Sequence, residues 1–545
     1  MNKFSLSRKT IFWIGCTMVS IGMAMQLPMY FHASNMGYRL VGMRMDFSMI
    51  MGMIWMVVGL GITILGLIPE KSHIGLNDQT LQVRALDDVP IRWPHIALLF
   101  VMALAMTLDV MKPTILSFVV PGAAIEYGLK SPVNPHGHVP VALLPLCGIS
   151  GTIMGSFIWG WMSDHMGRRA SILMAAVVFI ATSACGAMPE FWMNCMMCLI
   201  MGFGVGGMLP ILFTLMAECI PARHRGWLMV LIGGDIAGAY LITSSLASWL
   251  VPHYNWRILW LIGFPTGLLL ILLNHWIPES PRFLLLHGRV KEAEKIMKRF
   301  GAVAITQQDD TSRIAMSHQP HIGKHARFKD LFSTPFLGIT AAVVLLALGT
   351  GFVRFGFQLW IPSNLQELGF SQQRSFAILR NAALIGFPLN FLVAWMYGFW
   401  SSKRTIVLLT ALTAASMIGF LIFGNHIIQH PILLYALLIL PIWGVSAILS
   451  VLAAYAAEIY PTAIRSRGSG LISGMTQIAG VFIIALVAFA VAPPSITATA
   501  LIAALPLVLA AIAMMMLGIE TRKRNLEDIT AEEMHPVQQV STSAW

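Results

Sequence analysis

Charge is what this sequence has least of. Only 11% of its 545 residues are Asp, Glu, Lys or Arg, against 57% hydrophobic, whereas a soluble domain carries about 25% charged residues. So little charge cannot cover a water-facing surface, which excludes an ordinary soluble fold. Mean hydropathy of +0.75 points to a bilayer as the solvent. In lipid every backbone polar group must be satisfied internally, which leaves helices or closed barrels. A barrel would show short alternating segments. Continuous apolar runs such as Leu261–Trp276 and Leu433–Val451 exclude that and predict an all-α polytopic membrane protein.

Other scarcities narrow the function. There are six cysteines, and only Cys219 is expected in an extramembrane loop, so no disulfide framework is indicated. Cys195 and Cys198 lie in a Met-rich apolar run and read as helix packing. No Gly-x-x-x-x-Gly-Lys-Ser/Thr loop is present, so ATP is not the expected driving force and no cofactor or metal is expected. With no His-Glu-x-x-His, and no partners for the Ser and His residues within spans, an enzyme is not expected. The net charge of +11 lies in short loops between apolar runs, which argues against a nucleic-acid partner.

A span needs roughly 20 mostly apolar residues. Fourteen are expected, at 11–31, 46–68, 96–120, 140–162, 171–188, 192–216, 228–250, 256–277, 336–361, 376–399, 404–424, 431–456, 468–491 and 495–518. Lys3, Arg8 and Lys9 precede the first, as in a signal peptide, but no small-residue cleavage site follows, so it reads as an anchor. With the N-terminus inside, 27 of the 35 Lys and Arg fall on the cytoplasmic side. Both termini and the loop 278–335 are therefore expected in the cytoplasm, in a multi-pass cell-membrane protein. Within that loop, Glu294 stands four residues before Lys298, as on a charged surface helix. The expected organisation is two extra N-terminal helices with a linker (1–95), a six-helix bundle (96–277), the central loop (278–335), a second six-helix bundle (336–518) and a cytoplasmic tail (519–545).

Two stretches echo each other at equivalent places in the two sets of six. They are Ala217-Glu218-Cys-Ile-Pro-Ala-Arg-His-Arg225-Gly226 and Ala457-Glu458-Ile-Tyr-Pro-Thr-Ala-Ile-Arg-Ser-Arg467-Gly468. Such a repeat is a transporter signature and places the substrate near the midplane between halves. Gly160-Trp-Met-Ser-Asp164-His-Met-Gly167-Arg168-Arg169 adds a loop in which glycines allow close helix approach and Asp164 is expected to accept from a nearby helix N-terminus. Pro278-Glu279-Ser-Pro-Arg282 follows the sixth helix of that set, which opens with Trp256-Arg257.

On these motifs the chain resembles the major facilitator superfamily over about residues 96–518, in its sugar-porter and metabolite–proton symporter branch. The resemblance implies a 12-helix, 6+6 core to which the two N-terminal helices are additional. It gives Gly160, Asp164, Gly167, Arg168, Arg169, Glu218, Arg225, Glu279, Arg282, Glu458 and Arg467 packing and gating roles rather than contact with substrate. Leu108-Asp109 through Pro121 is similar to the first core helix of niacin and aromatic-acid carriers. Cys198 stands where sugar porters carry a buried arginine, and Gly398-Phe-Trp-Ser-Ser-Lys403-Arg404 lacks the Asp of the loop motif. Both departures weaken the case for a sugar substrate.

Ionisable residues at bilayer depth are costly and mark function. Asp109 and Lys112, three apart, are expected to share a helix face beside Pro113, with Asp235 and Arg354 on other spans. Asp109 is the expected proton carrier, with Asp235 next. Arg354 and Lys112 are the expected anion ligands, helped by Gln358, Asn381 and Gln477, with Asn390 a further polar candidate. The expected activity is proton-coupled uptake of a small organic carboxylate, aromatic acids included, by alternating access, by a monomer in the bilayer. A sugar or drug carrier of the same superfamily, or a non-transporting sensor on this fold, are the alternatives.

Overall fold

The computed structural model describes residues 7–68, 89–131, 133–302, 328–333, 336–460, 465–490 and 495–521. Fourteen helices among them are long and apolar enough to cross a membrane. In chain order the helices are α1 (Arg8–Met36), α2 (Phe47–Leu67), α3 (Trp93–Glu126), α4 (Leu143–Met166), α5 (Arg168–Ala187), α6 (Phe191–Cys219), α7 (Arg223–Tyr254) and α8 (Ile258–Trp276). They continue with the short α9 (Val290–Phe300), α10 (Leu337–Gln358), the short α11 (Ile361–Glu367), α12 (Gln372–Trp400), α13 (Ser402–Phe423), α14 (Pro431–Ala456), α15 (Arg467–Phe489) and α16 (Ile496–Leu517). Glu279, Glu458 and Glu520 share one end of the helix array, the basic end. Parts of the central loop and the last tail residues lie outside the described residues.

Helix starts follow from local chemistry. Asp46 caps α2, Ser371 caps α12, Ser401 caps α13 and Ser495 caps α16, each side-chain oxygen accepting a first-turn backbone N–H. Inside the bundle, close packing is written in small residues. On α4, Gly151 and Gly155 lie so close to Leu199 and Phe203 of α6 that a Cβ would overlap their backbone. The pair α1 and α2 packs the same way, with Gly15 against Gly59 and Gly22 against Gly52.

This pair is docked rather than loose. The Tyr30 hydroxyl donates to the Tyr254 carbonyl at 2.6 Å, and the Leu40 amide donates to Glu126 at 2.8 Å. Glu126 is the centre of the joint. Arg257 reaches it at 2.9 Å and Trp256 Nε1 at 2.8 Å, with the two charged side chains 4% and 0% exposed. At the other end of the bundle, α9 buries Ala293, Met297 and Phe300 and pairs Lys298 with Glu294 at 2.7 Å.

The loop motifs come together at the basic end, with one correction. The N-terminus of α5 is capped by Glu279, not by Asp164: Glu279 accepts from the Arg168 and Arg169 amides at 2.8 and 3.3 Å. Gly167, at φ 100°, turns the chain so that this helix start faces Glu279. Asp164 is exposed and pairs with Arg168 at 3.5 Å, while Arg168 also reaches Glu218 at 3.6 Å. A matching joint exists in the second set. Glu520 accepts from the Ser402 amide at 3.0 Å at the start of α13, and Glu458 accepts from Tyr397 at 2.6 Å and Thr521 at 2.7 Å. Arg225 donates to the Ile220 carbonyl at 3.1 Å, Gly160 has open space beside it, and Arg282 and Arg467 are exposed. Cys219 is not a loop residue as expected. It ends α6 and is fully buried.

Candidate functional site

A cavity with an empty volume of about 900 Å³, part of it open to solvent, lies between the two sets of six helices. α3 contributes Thr114 and Ser117, α4 Ile149 and Thr152, α6 Val205, Gly206, Leu209 and Pro210, and α7 Tyr240. From the other set come Arg354, Phe355 and Gln358 of α10 and Ser473 and Gln477 of α15. Pro113 breaks the backbone ladder of α3 at this level. On α10 the last turn, Val353–Gln358, widens to a π-helix, a form frequent at functional sites, and it carries Arg354 and Gln358 into the lining.

The lining reaches Pro210 and the exposed Ser473, toward the basic end, where Gly470 and Gly474 on α15 face open space. Toward the opposite end it stops at packed rings. Phe118, fully buried, lies 5.7 Å from the Tyr240 ring and 5.2 Å edge-on from Phe376 of α12.

Among the described residues that line the cavity, Arg354 is the only charged side chain. Its guanidinium lies over the Phe355 ring at 5.3 Å. Among the described residues neither the amide oxygen of Gln477 nor the Tyr240 hydroxyl has a hydrogen-bond partner. Asp109 of α3 is fully buried, and neither carboxyl oxygen has a hydrogen-bond partner. The charge that bears on it is Arg354, across the interface between the two sets.

Two other expected residues sit elsewhere. Lys112 does not meet Asp109 and does not line the cavity. Its long stem carries the ammonium to the Phe179 carbonyl at 3.1 Å and Ser183 Oγ at 3.4 Å, over the Phe179 ring, in space that Gly263 leaves open. Asn381 is also outside the lining and accepts from Arg380 at 3.0 Å. Asn390 is a packing residue that accepts from Trp443 Nε1 at 3.1 Å. Asp235 accepts from Thr107 of α3, at the break in α7 after Gly234. Sequence reasoning missed Tyr240, Glu126 and Glu520. Only Glu520 had a readable signal: Ile519-Glu520-Thr521 after the last span copies Pro278-Glu279-Ser280 after α8.

Comparison with known proteins agrees with this architecture. The sequence model of the family described as "Sugar (and other) transporter" matches residues 119–532. The niacin transporter NiaP of Acinetobacter baylyi is 26% identical over 453 residues, 82% of this chain and 99% of its own length. The inner membrane metabolite transport protein YgcS of Escherichia coli is 27% identical over 356 residues, 60% of this chain and 71% of its own. Among solved structures, the proton:xylose symporter XylE bound to 6-bromo-6-deoxy-D-glucose superposes with a TM-score of 0.63 at 20% identity, covering 81% of this chain and 99% of that one.

Proposed function

The chain belongs to the sugar (and other) transporter family of the major facilitator superfamily and is a secondary transporter of small metabolites; from that premise we propose that it takes up a small organic monocarboxylate together with a proton. The observation that carries the reading is that Arg354 is the single charge among the described residues that line the cavity. Its planar fork matches a carboxylate and stays charged at every working pH. Phe355 offers a ring face, and Gln358, Gln477 and Tyr240 offer polar partners for the rest of a small planar solute. An aromatic acid such as nicotinate fits that lining, and the Acinetobacter relative is a niacin transporter.

Coupling follows from the position of Asp109. Ionised, its carboxylate attracts Arg354 from the opposite set of helices and competes with the solute for it. Protonated, it leaves the guanidinium to the solute. Proton and anion therefore load together and leave together. Asp235, held by Thr107, is the second candidate for a proton site. Lys112 keeps a structural role. Residues 96–277 and 336–518 act as the two rocking units, in a monomer of the cell membrane with both termini and the 278–335 loop in the cytoplasm.

The test is ligand-induced thermal stabilisation of the purified protein, because binding to the folded state raises its apparent stability. Nicotinate and benzoate should stabilise it, whereas nicotinamide and xylose should not. Losing a charge-assisted hydrogen bond costs about 1.5–3 kcal/mol, so Arg354→Lys should weaken the acids roughly ten- to a hundredfold. Equal stabilisation by a neutral solute, or unchanged acid affinity in Arg354→Lys, contradicts the reading.

A further inference from the structure

The cysteines are not scattered. Cys147 of α4, Cys185 of α5 and Cys195 and Cys198 of α6 lie together, and all four are free thiols. α4 begins at Leu143 and α6 at Phe191, so Cys147 and Cys195 are each the fifth residue of their helix. At 1.5 Å per residue both stand about 6 Å from the helix start. Cys185 lies in the last turn of α5, at the same end of the bundle. This end is opposite the basic end, and with both termini in the cytoplasm it faces the outside.

The register of α4 on α6 sets the partners. Gly155 touches the Phe203 backbone and Gly151 touches the Leu199 backbone. One further step of four residues toward the helix starts brings Cys147 to Cys195, and these two thiols are hydrogen-bonded to each other. Cys198 instead donates to Asn194 Oδ1 at 3.6 Å and meets Cys185 of α5. Cys195 and Cys198 are therefore not one redox motif despite their spacing, because their thiols serve different neighbouring helices. Exposure separates the two pairs. Cys185 and Cys198 are fully buried and Cys195 is 4% exposed, whereas Cys147 is half-buried.

We propose that Cys147 and Cys195 are a redox-active thiol pair that closes to a disulfide and staples α4 to α6. Two touching thiols on helices in backbone contact suit the short reach of that bond. The more accessible Cys147, as its thiolate, attacks one oxygen of hydrogen peroxide. The O–O bond breaks, giving a sulfenic acid on Cys147 and one water. Cys195 then attacks that sulfur and displaces hydroxide, which leaves with a proton as a second water. Two thiols are oxidised to one disulfide, and one peroxide is reduced to two waters. The outside is the compartment in which such bonds persist. The staple stands beside Gly148 and Ile149 of α4 and a turn or two from Met201 and Gly202 of α6, all of which line the cavity. It fixes that wall, yet leaves the two sets of helices free to rock, because α4 and α6 belong to the same set. The inference rests on helix register and not on the solute, so failure of the carboxylate reading leaves it standing.

The test uses the purified full chain, first reduced, then exposed to hydrogen peroxide, with the remaining thiols alkylated in denaturant. The parent should lose two of its six thiols. Peptide mapping should show Cys147 joined to Cys195, in a bond that dithiothreitol opens. Cys198→Ser should form the same bond, whereas Cys147→Ser and Cys195→Ser should not. A cross-link that closes a long loop constrains the unfolded chain, so peroxide should raise the unfolding temperature of the parent and of Cys198→Ser but not of Cys147→Ser. A different bonded pair, such as Cys195 with Cys198, overturns the proposal, as does the absence of any bond. An equal rise in unfolding temperature for Cys147→Ser also counts against it. Mapping of the parent decides the matter even if a variant fails to fold.

Discussion

Replacing Glu126 by Gln should cost the protein several kcal/mol of stability, because it breaks a buried ion pair. Glu126 accepts from Arg257 Nη2 at 2.9 Å, from Arg257 Nε at 3.1 Å, from Trp256 Nε1 at 2.8 Å and from the Leu40 amide at 2.8 Å. Arg257 is fully buried, stacked at 4.5 Å on the Trp256 ring, and its remaining nitrogen donates to the Met188 carbonyl at 2.7 Å. Gln keeps one acceptor oxygen and offers an NH₂ where an oxygen stood, leaving the guanidinium buried without a counter-charge. Breaking a buried pair in this way costs about 3–5 kcal/mol. If the amide rotates its NH₂ toward Leu40, a neutral hydrogen bond worth about 1 kcal/mol is lost as well, and the grip on α1 and α2 loosens. The measurement is denaturant unfolding of the purified protein followed by tryptophan fluorescence. Adding Arg257→Met removes the orphaned charge, so the double variant should lie closer to the parent than the Glu126→Gln single variant does. Such opposite-sign coupling is expected only for residues in direct contact. A loss below about 1 kcal/mol for Glu126→Gln, or simple additivity in the double variant, would refute the argument.

Two further outcomes follow from the packing. A Cβ at Gly263 overlaps the Lys112 ammonium and Ser183, so Gly263→Ala should lower stability by about 1–3 kcal/mol in a thermal melt. Lys112→Met on top of it should recover part of that loss while leaving solute binding intact. Burial raises the Glu279 carboxyl above its ordinary 4.5, against the pull of three backbone N–H donors. The folded protein therefore holds that proton more tightly than the unfolded chain does. The resulting stabilisation is full below pH 4.5 and is lost as pH rises through the folded value. Relative to the parent, Glu279→Gln should show a shallower fall in unfolding temperature above pH 4.5, and a parallel curve would count against it.

The spans were legible because lipid demands long apolar runs, and the helices fall where those runs lie. Arg354, Gln358 and Gln477 stood out as polar groups at bilayer depth, which need an aqueous or polar neighbour, and all three line the cavity. Their partners did not. Asp109 and Lys112 have the spacing of a helix-face pair, yet a lysine stem is long enough to pick any acceptor within reach. Lys112 picks Phe179, in a slot made by Gly263 on a helix far along the chain. Asn381 is equally polar on paper, but its neighbour Arg380 claims it. Asp164 was the obvious cap for the start of α5, and Glu279 takes that place because Gly167 turns the helix toward it. Glu126 gave no signal, since an acid at the last residue of a span looks like any loop residue until Arg257 and Leu40 are brought to it. Sequence patterns therefore locate polar groups along the chain, whereas tertiary contacts decide which ones line the cavity.

The central claim is that Asp109 carries the proton that drives solute through the cavity holding Arg354. Its most direct test is radiolabelled nicotinate uptake into proteoliposomes under an imposed inward proton gradient, comparing the parent with Asp109→Asn. The account predicts that the parent accumulates solute above equilibrium. It also predicts that Asp109→Asn loses accumulation while still exchanging internal for external nicotinate without a gradient. Accumulation by Asp109→Asn equal to that of the parent would contradict it.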